Sequence, residues 1–225
     1  MRTRCLASGL AIAATMALFG CGSDQSANDY QPLFKGAAAA LNSPAQPLET
    51  VDPAAAAALR AVLQQDGQPI YLVAAPALNY LDLMAPYGQN ADVTTWASAH
   101  YESISLRQGM LIATRGFGQD LMSSAGPSVA QIAAGHGTTQ RRYLYLDGAD
   151  QTATLDFSCD LWSEGNTSIT ILARSYATRK VVETCAGPTG AFRNEFWFDH
   201  GTNLRQSRQM FAPGMENILM QRVID

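Results

Sequence analysis

Cys21 is the residue whose surroundings most clearly point to a chemical modification. It follows a charge-free apolar run, Cys5 to Phe19, with two arginines in the four residues before that run. This is the layout of a secretory signal, with a basic start, an apolar region and a cleavage site. Because the small residue Gly20 gives a peptidase access to the bond, the Cys21 thiol can be thioether-linked to diacylglycerol. We predict a lipoprotein signal over residues 1–20 and lipidation, including palmitate, at Cys21.

The membrane attachment is predicted to be through this lipid. The apolar run covers residues 5–19, which is shorter than the roughly 20 residues that a membrane-spanning helix needs. A plain signal with an incidental cysteine is the alternative, because Phe19 is bulkier than usual at its position. Residues 21–50 are polar or alanine-rich and predict a flexible tether. Gly22 and Ser23 lack the aspartate common in lipoproteins of the inner membrane, so we expect the outer membrane, with the domain facing the periplasm.

A second chemistry is available to the remaining cysteines, Cys159 and Cys185. In an oxidising compartment such a pair predicts a disulfide. In the chain-entropy model, closing a loop of this size stabilises the fold by about 3–4 kcal/mol. A metal or redox pair is the alternative, but neither a C-x-x-C spacing nor a nearby histidine supports it.

Catalytic patterns are scarce. The chain has no G-x-S-x-G, Walker or H-E-x-x-H motif, and its histidines, His100, His136 and His200, stand apart beside turn residues. Asp156 and Asp160 share one strand face, but the alternation of residue types makes that face the solvated one, whereas glycosidase carboxylates need a cleft. We therefore expect no catalytic residue, no metal site, no cofactor and no enzymatic activity.

Binding is the better expectation for the aromatic and arginine side chains. Trp96, Tyr101, Trp162, Tyr176 and Trp197 stand near strand ends or on polar faces, where aromatic rings can stack on sugars or on proteins. The possible binding residues are Trp197, Arg193, Arg205 and Gln209, which alternate with apolar residues of the C-terminal strands. Aromatic and arginine groups on an outward face often dominate interfaces. The alternative is a second core layer that covers this face.

The charge pattern excludes one class of partner. The chain has 15 Lys and Arg against 19 Asp and Glu, and the basic residues are dispersed. A nucleic-acid-binding protein needs a dense basic face, so no nucleic acid is expected as a partner. The same dispersal leaves the lipid as the main attachment to the membrane.

The elements that position these residues are mostly strands. A helix is predicted over Ala54–Gln65, with Asp52-Pro53 at its start and Asp66-Gly67 at its end. A continuous apolar run over 69–75 predicts a strand buried on both faces. A hairpin is predicted around Arg107-Gln108-Gly109, and Asp120 is expected to cap a short helix over Leu121–Ser124.

The second half reads as a series of antiparallel strands. Leu155, Phe157, Cys159 and Leu161 alternate with polar residues, which is typical of a half-buried strand. Turns are predicted at 164–166 and 178–180, so that the two cysteines lie on the outer strands of a three-stranded meander. Further strands are expected over 204–211 and 218–224. The predicted fold class is all-β, a mainly antiparallel sandwich or open barrel with one or two short helices, in a single domain over 51–225.

Several short motifs, taken in order, resemble a known family. They are Thr95-Trp96-Ala97-Ser98, the stretch from Gly109 to Leu121, Glu183-Thr184-Cys185, Phe192 to Asp199, and Gly201 through Ser207-Arg208-Gln209 to Pro213. This order resembles the YjbF/GfcB group of lipoproteins from capsule and exopolysaccharide operons, over about residues 50–223. Phe117 departs from the pattern, since a smaller aliphatic residue is expected there.

The resemblance implies an outer-membrane lipoprotein that acts as a non-enzymatic accessory in exopolysaccharide or group 4 capsule assembly and export. Its partners would be proteins of the export apparatus or the glycan itself. One alternative is an open-barrel carrier of lipid or lipoprotein, which needs a large apolar cavity lined by residues such as Leu72, Ile112 and Phe157. A glycan-modifying enzyme is the other, and it needs paired acids in a cleft.

Overall fold

The structure is a computed structural model that describes residues 52–146 and 151–225. The predicted signal, Cys21 and the tether lie outside the described residues. Asp147-Gly148, a turn sequence that predicts the end of a strand over Tyr143–Leu146, lies outside them too. None of the helices in the described ranges is long and apolar enough to cross a membrane.

The first helix of the described residues forms where the sequence predicts it. Helix α1 spans Pro53–Asp66. The Asp52 carboxylate accepts hydrogen bonds from the amides of Ala54 and Ala55 at 3.3 and 3.2 Å, which satisfies amide groups that have no partner within the helix. Gly67, at φ 68°, ends the helix in the left-handed conformation that glycine adopts at little cost.

Within the described ranges, twelve strands and a second helix follow. They are β1 Ile70–Ala75, β2 Tyr80–Asn90, β3 Val93–Ala97, β4 Ser103–Arg107, β5 Met110–Arg115, β6 Ser123–Ala125, α2 Val129–Ala134, β7 His136–Leu146, β8 Thr152–Ile171, β9 Arg174–Gly187, β10 Gly190–His200, β11 Asn203–Gln209 and β12 Ile218–Ile224; a short 3₁₀ turn, Pro76–Leu78, lies between β1 and β2.

All twelve strands belong to one antiparallel sheet. Its order is β5-β4-β3-β2-β1-β12-β11-β10-β9-β8-β7-β6. The chain therefore runs from β1 to the edge strand β5, continues at the opposite edge with β6, and proceeds strand by strand until β12 pairs with β1. The sheet curls until its edge strands β5 and β6 approach each other. The all-β prediction is confirmed, and of its two architectures the structure has the nearly closed barrel.

The seam between β5 and β6 is held by individual hydrogen bonds in place of a strand ladder. The Thr114 amide donates to the Leu121 carbonyl at 3.0 Å, and the Ser124 hydroxyl donates to the Leu111 carbonyl at 2.6 Å. These bonds satisfy backbone groups that an edge strand would otherwise leave unpaired. The barrel therefore closes without a continuous ladder at this point.

The barrel interior is packed with side chains. Tyr143, Phe157 and Phe211 are buried in its main cluster, and Phe157 contacts Tyr143 edge-to-face with ring centroids 5.8 Å apart. Such a contact adds to the stabilisation from burial of the rings. Phe117, the residue that departs from the family pattern, is buried in this cluster and packs edge-to-face on Tyr80.

The outer face of the sheet is covered on one side by α1. Leu63 packs with Leu72 and Leu83 on that face, which explains why β1 is buried along its whole length, as the apolar run predicts. Arg60 donates to the carbonyls of Ile171 and Leu172, at 2.6 and 2.9 Å, and to that of Val223 at 2.9 Å. One guanidinium thus joins α1 to the tip of the β8–β9 hairpin and to β12.

One predicted helix is wrong. Residues 123–125 form β6, and Asp120 caps the turn that precedes it: its carboxylate accepts from the amides of Gly116 and Phe117 at 2.8 and 3.0 Å. The short helix is α2, which begins after Ser128 with a reciprocal capping box between Ser128 and Gln131. Its residues Val129 and Ile132 pack on inward-facing side chains of the barrel.

The predicted three-stranded meander is also wrong. Strands β8 and β9 form one long hairpin, in which Gly165, at φ 91°, marks a bulge and residues 178–180 continue the strand. The chain reverses at Leu172 and Ala173, with φ values of 40° and 64°. Such a turn usually carries Asn or Gly, so the residues at these two positions do not predict it. The bonds from Arg60 hold the turn in place.

The long hairpin changes how the disulfide is placed. Cys159 lies directly opposite Cys185 in the register of β8 and β9, and a disulfide joins them, with Cα atoms 4.0 Å apart. The predicted pair is therefore bonded, but it links immediate neighbours in place of the separated strands expected. The short Cα distance, below the usual range of about 4.4–6.8 Å, follows from this cross-strand position.

Candidate functional site

The four possible binding residues do not form one surface. Trp197 and Arg193 lie on the outer face of β10, but Trp197 is buried, with the Lys180 ammonium 5.1 Å from its ring centroid. Arg205 is buried too, where it pairs with Asp199 at 2.7 Å. Gln209 points into the barrel. Of the four, Arg193 alone is exposed, so the alternative of a covered face holds for Trp197 and Arg205, whereas Gln209 does not lie on that face.

An exposed patch surrounds Arg193. We call it the outer patch, and it consists of Trp162, Glu164, Lys180, Arg193, Glu195 and Arg208. The Arg193 guanidinium lies over the Trp162 ring, 5.7 Å from its centroid, and Trp162 is one of the few exposed large apolar side chains in the described part of the chain. An indole beside a guanidinium offers both stacking and bidentate hydrogen bonds.

The charges of the outer patch form a network. Lys180 contacts Glu164 at 3.0 Å and Glu195 at 2.6 Å, and Arg193 contacts the same two carboxylates. Hydrogen bonds from Lys180 and Arg193 lower the pKa of Glu164. The network positions the arginine over the indole, although such exposed pairs contribute little to stability.

A cavity opens at one end of the barrel. We call it the mouth pocket; its volume is about 480 Å³, and it is lined by Tyr71, Thr94, Trp96, Leu106, Gln108, Gly109, Val129, His200, Thr202, Asn203, Leu204 and Arg222. Apolar and aromatic side chains of β1, β3 and β4 form its floor, and the β4–β5 and β10–β11 turns form its rim. The volume is within the range of about 300–1,000 Å³ typical of small-molecule sites, which often lie in barrel mouths.

The mouth pocket does not match the carrier prediction. Leu72 packs under α1 on the outer face, whereas Phe157 lies in the interior cluster, so these two residues do not share a cavity. A second cavity, of about 440 Å³, lies beside Leu72 between α1 and the hairpin tip, with Gln206, Arg208 and Gln221 among its lining residues. Both cavities combine polar with apolar groups.

A buried ion pair lies inside the barrel. Arg141 Nε donates to Glu183 at 2.7 Å, and both side chains are almost fully buried. Glu183 also accepts from Thr139 at 3.0 Å and from the Asn194 amide at 2.8 Å. Because these partners satisfy a buried carboxylate, the cluster is best understood as part of the core.

Tertiary structure brings His100 to two carboxylates, which the sequence does not predict. Its Nδ1 lies 3.2 Å from Asp82 Oδ2, and ligand atoms of Asp82, His100 and Glu102 all lie within 4.8 Å of one another. Burial raises the pKa of Asp82. Imidazole and carboxylates are zinc ligands, so among the described residues these three could share a cation.

The same cluster includes Ser98, yet it is not a nucleophilic triad. The Ser98 hydroxyl donates to Glu102 at 2.5 Å and accepts from the His100 backbone amide at 3.1 Å. A catalytic serine needs its hydroxyl bonded to the imidazole that serves as base. The geometry therefore gives Ser98 a structural role in the β3–β4 loop.

The other carboxylate pair is placed as the sequence predicts. Asp156 and Asp160 are exposed, and Arg142 binds Asp156 through Nε and Nη2 at 2.7 and 3.1 Å. Hydrogen bonds from Arg142 lower the pKa of Asp156, whereas a glycosidase acid needs a raised pKa. His100, His136 and His200 are exposed.

The fold and these surfaces define a nearly closed antiparallel β-barrel with a polar mouth and an aromatic outer patch. The family model described as "Group 4 capsule polysaccharide lipoprotein gfcB, YjbF" matches residues 33–223. The chain belongs to this family, as its motifs predict.

The chain is similar to two solved structures, and the first of them shows the same fold. The hypothetical lipoprotein YmcC from Escherichia coli (K12) superposes with a TM-score of 0.69 at 15% identity, covering 91% of this chain and 98% of its own. A Bacteroides fragilis protein described as exported, with a YmcC-like fold, gives a TM-score of 0.39 at 10% identity, covering 70% of this chain and 93% of its own. No curated protein sequence matches the chain.

Proposed function

We propose that this protein is a lipid-anchored, non-enzymatic accessory of the outer membrane in the assembly and export of group 4 capsule or exopolysaccharide. The observation that carries the proposal is the family match over residues 33–223. The paired Asp156 and the bonding of Ser98 argue against hydrolytic chemistry at the two places where it was most plausible. A binding role therefore agrees best with the geometry.

The outer patch is the surface we assign to contact with a protein of the export apparatus or with the glycan. Trp162 and Arg193 are exposed and already held together, so little side-chain freedom would be lost on binding. Trp197 lies beside them beneath Lys180 and supports the patch. Arg205 and Gln209 are not part of this contact surface, and their role is to stabilise the barrel.

Complementation of a deletion strain tests this assignment. We expect Arg193→Ala and Trp162→Ala to reduce surface polysaccharide severalfold while the melting temperature of the purified domain stays within a few degrees of wild type. Gln140→Ala, an exposed substitution on β7, is the matched control and should export normally. Normal export by both patch variants would contradict the role of the patch, and normal export by the deletion strain would contradict the accessory function.

The lipid anchor is tested separately. Because Cys21 follows the apolar region of the signal, Cys21→Ser should abolish incorporation of labelled palmitate and leave the protein unanchored or uncleaved. Gly22→Asp should shift the protein toward the inner membrane, since aspartate at that position is common in lipoproteins held there. Palmitate labelling that persists in Cys21→Ser would contradict the assignment.

A further inference from the structure

The mouth pocket combines an aromatic floor with a hydrogen-bonding rim. Trp96 is half-buried, so part of its indole surface lies in the cavity, and Tyr71 meets it edge-to-face with ring centroids 4.7 Å apart. This contact fixes the orientation of the indole. An aromatic surface held in this way is suited to stacking on the apolar C–H face of a ring.

The rim supplies polar side chains that can donate and accept hydrogen bonds. Asn203 and His200 come from the β10–β11 turn, and Gln108 comes from the β4–β5 turn. Gln108 and Gly109 have φ values of 52° and 86°, the conformation of a tight two-residue hairpin turn. The rim groups are therefore mounted on short turns with little freedom to move.

The lining of the pocket carries little charge. Among the described residues that line it, Arg222 alone carries a permanent charge. That charge is shared with Asp225 at 3.3 Å and with the Asn203 side-chain oxygen at 3.2 Å. Burial raises the pKa of Tyr71, so its hydroxyl is a neutral donor at neutral pH.

Asn203 already bonds to Arg222 and Asp199, but a purely apolar ligand would leave the side chains of Gln108 and His200 without partners, which costs free energy. A highly charged anionic ligand would meet a single cation, Arg222, whose charge is already shared with Asp225. A ring with several hydroxyl groups and an apolar face matches both the floor and the rim.

We propose that the mouth pocket binds a sugar residue specific to the exported polysaccharide, stacked on Trp96 and hydrogen-bonded by the rim residues Gln108, His200 and Asn203. The proposal rests on the proposed function and deepens it, because it makes the glycan itself a ligand of the barrel. It also separates two surfaces: the mouth pocket for sugar and the outer patch for the contact required in export.

The three tryptophans provide a direct test, because each reports on a different place. Trp96 lies in the mouth pocket, Trp162 is exposed in the outer patch and Trp197 is buried beneath Lys180. The experiment titrates the ¹⁵N-labelled mature domain with short oligosaccharides cut from the purified extracellular polysaccharide of the producing strain. The indole N–H signals are assigned with single Trp→Phe variants, and dextran fragments serve as the control ligand.

We expect the Trp96 indole signal to shift in a saturable way while those of Trp162 and Trp197 move little. His200→Ala should raise the Kd threefold or more, whereas the matched control His136→Ala, also an exposed histidine but outside the lining of the pocket, should not change it. His200 makes no side-chain bond that holds the fold in place among the contacts described, so its substitution should leave melting unchanged.

Three results would overturn the proposal: shifts confined to Trp162, equal shifts with dextran fragments, or no shift at all. None of these would refute the accessory function, because export in the complemented deletion strain is measured independently. Conversely, oligosaccharide binding at Trp96 in a protein that export does not require would refute the accessory function and leave the sugar site in place.

Discussion

Gln209 Oε1 accepts a hydrogen bond at 3.0 Å from the backbone amide of Leu111, a residue 98 positions earlier in the chain. The same side chain donates to the Gly109 carbonyl at 2.9 Å. Strand β5 is an edge strand, and its backbone groups at the seam have no strand ladder to pair with. A glutamine from β11 thus replaces a missing neighbour and helps to close the barrel.

Gln209→Ala should destabilise the domain by about 1–3 kcal/mol, because the buried Leu111 amide loses its partner. Urea unfolding of the purified mature domain measures the change. The matched control is Gln140→Ala, an exposed glutamine on β7 that bonds to Ser158, and it should change the stability by less than about 0.5 kcal/mol. Wild-type stability of Gln209→Ala would show that the seam does not depend on this bond.

The buried pair of Arg141 and Glu183 should be costly to break from either side. Arg141→Met leaves the Glu183 carboxylate buried without its cation, and a loss of about 3–5 kcal/mol is expected. The double variant Arg141→Met/Glu183→Gln should lose less than the sum of the single losses, as a double-mutant cycle in urea would show. Arg142→Met, which breaks the exposed pair with Asp156, is the neighbouring control and should lose far less stability, because exposed ion pairs contribute little. Equal losses at positions 141 and 142 would contradict the burial argument.

Removal of the disulfide should weaken the fold without changing its architecture. Cys159→Ala/Cys185→Ala is expected to cost about 3–4 kcal/mol on the chain-entropy model, which for a domain of this size lowers the melting temperature by about 10 °C. The β8–β9 ladder extends far on both sides of the bridge, so the circular dichroism spectrum should be retained. Thiol titration of native periplasmic protein should find neither cysteine free; two reactive thiols there would argue against the bridge.

The pair of Arg205 and Asp225 should make stability depend on pH in the acid range. Partial burial works against ionisation of Asp225, but hydrogen bonds and the charge of Arg205 outweigh it, and the pKa of Asp225 is lowered. A lowered pKa in the folded state means that the stabilisation is complete above the ordinary aspartate value of about 3.9 and is lost as the pH falls through the lower, folded value.

Asp225→Asn should therefore be less stable than wild type at neutral pH, and the difference should shrink below about pH 4. Melting temperatures of both proteins between pH 7 and pH 3 provide the measurement, with Asp66→Asn as a control at an exposed carboxylate on α1. A difference that stays constant over the whole range would exclude this ion pair as its cause.

The local features of this chain could be predicted from its sequence. Asp52, Pro53 and Gly67 mark the ends of α1, since caps act on neighbouring backbone groups. The alternation around Phe157 and Cys159 identifies the buried face of β8, because side chains of a strand alternate between the two faces. The cysteine pair and the family motifs can likewise be recognised in the sequence, and most of the functional assignment depends on them.

The tertiary structure determines the relationships between residues that are far apart in the chain. The turn at Leu172-Ala173 is held by Arg60, and its own residues are not typical of such a turn. The number of strands in the second half of the chain depends on this turn. Alternation places Trp197 on the outer face but does not show that Lys180 covers it. The mouth pocket exists because the barrel brings the ends of strands such as β3 and β12 together. Closure of the sheet is a property of the whole fold, and a pattern of neighbouring residues does not contain it.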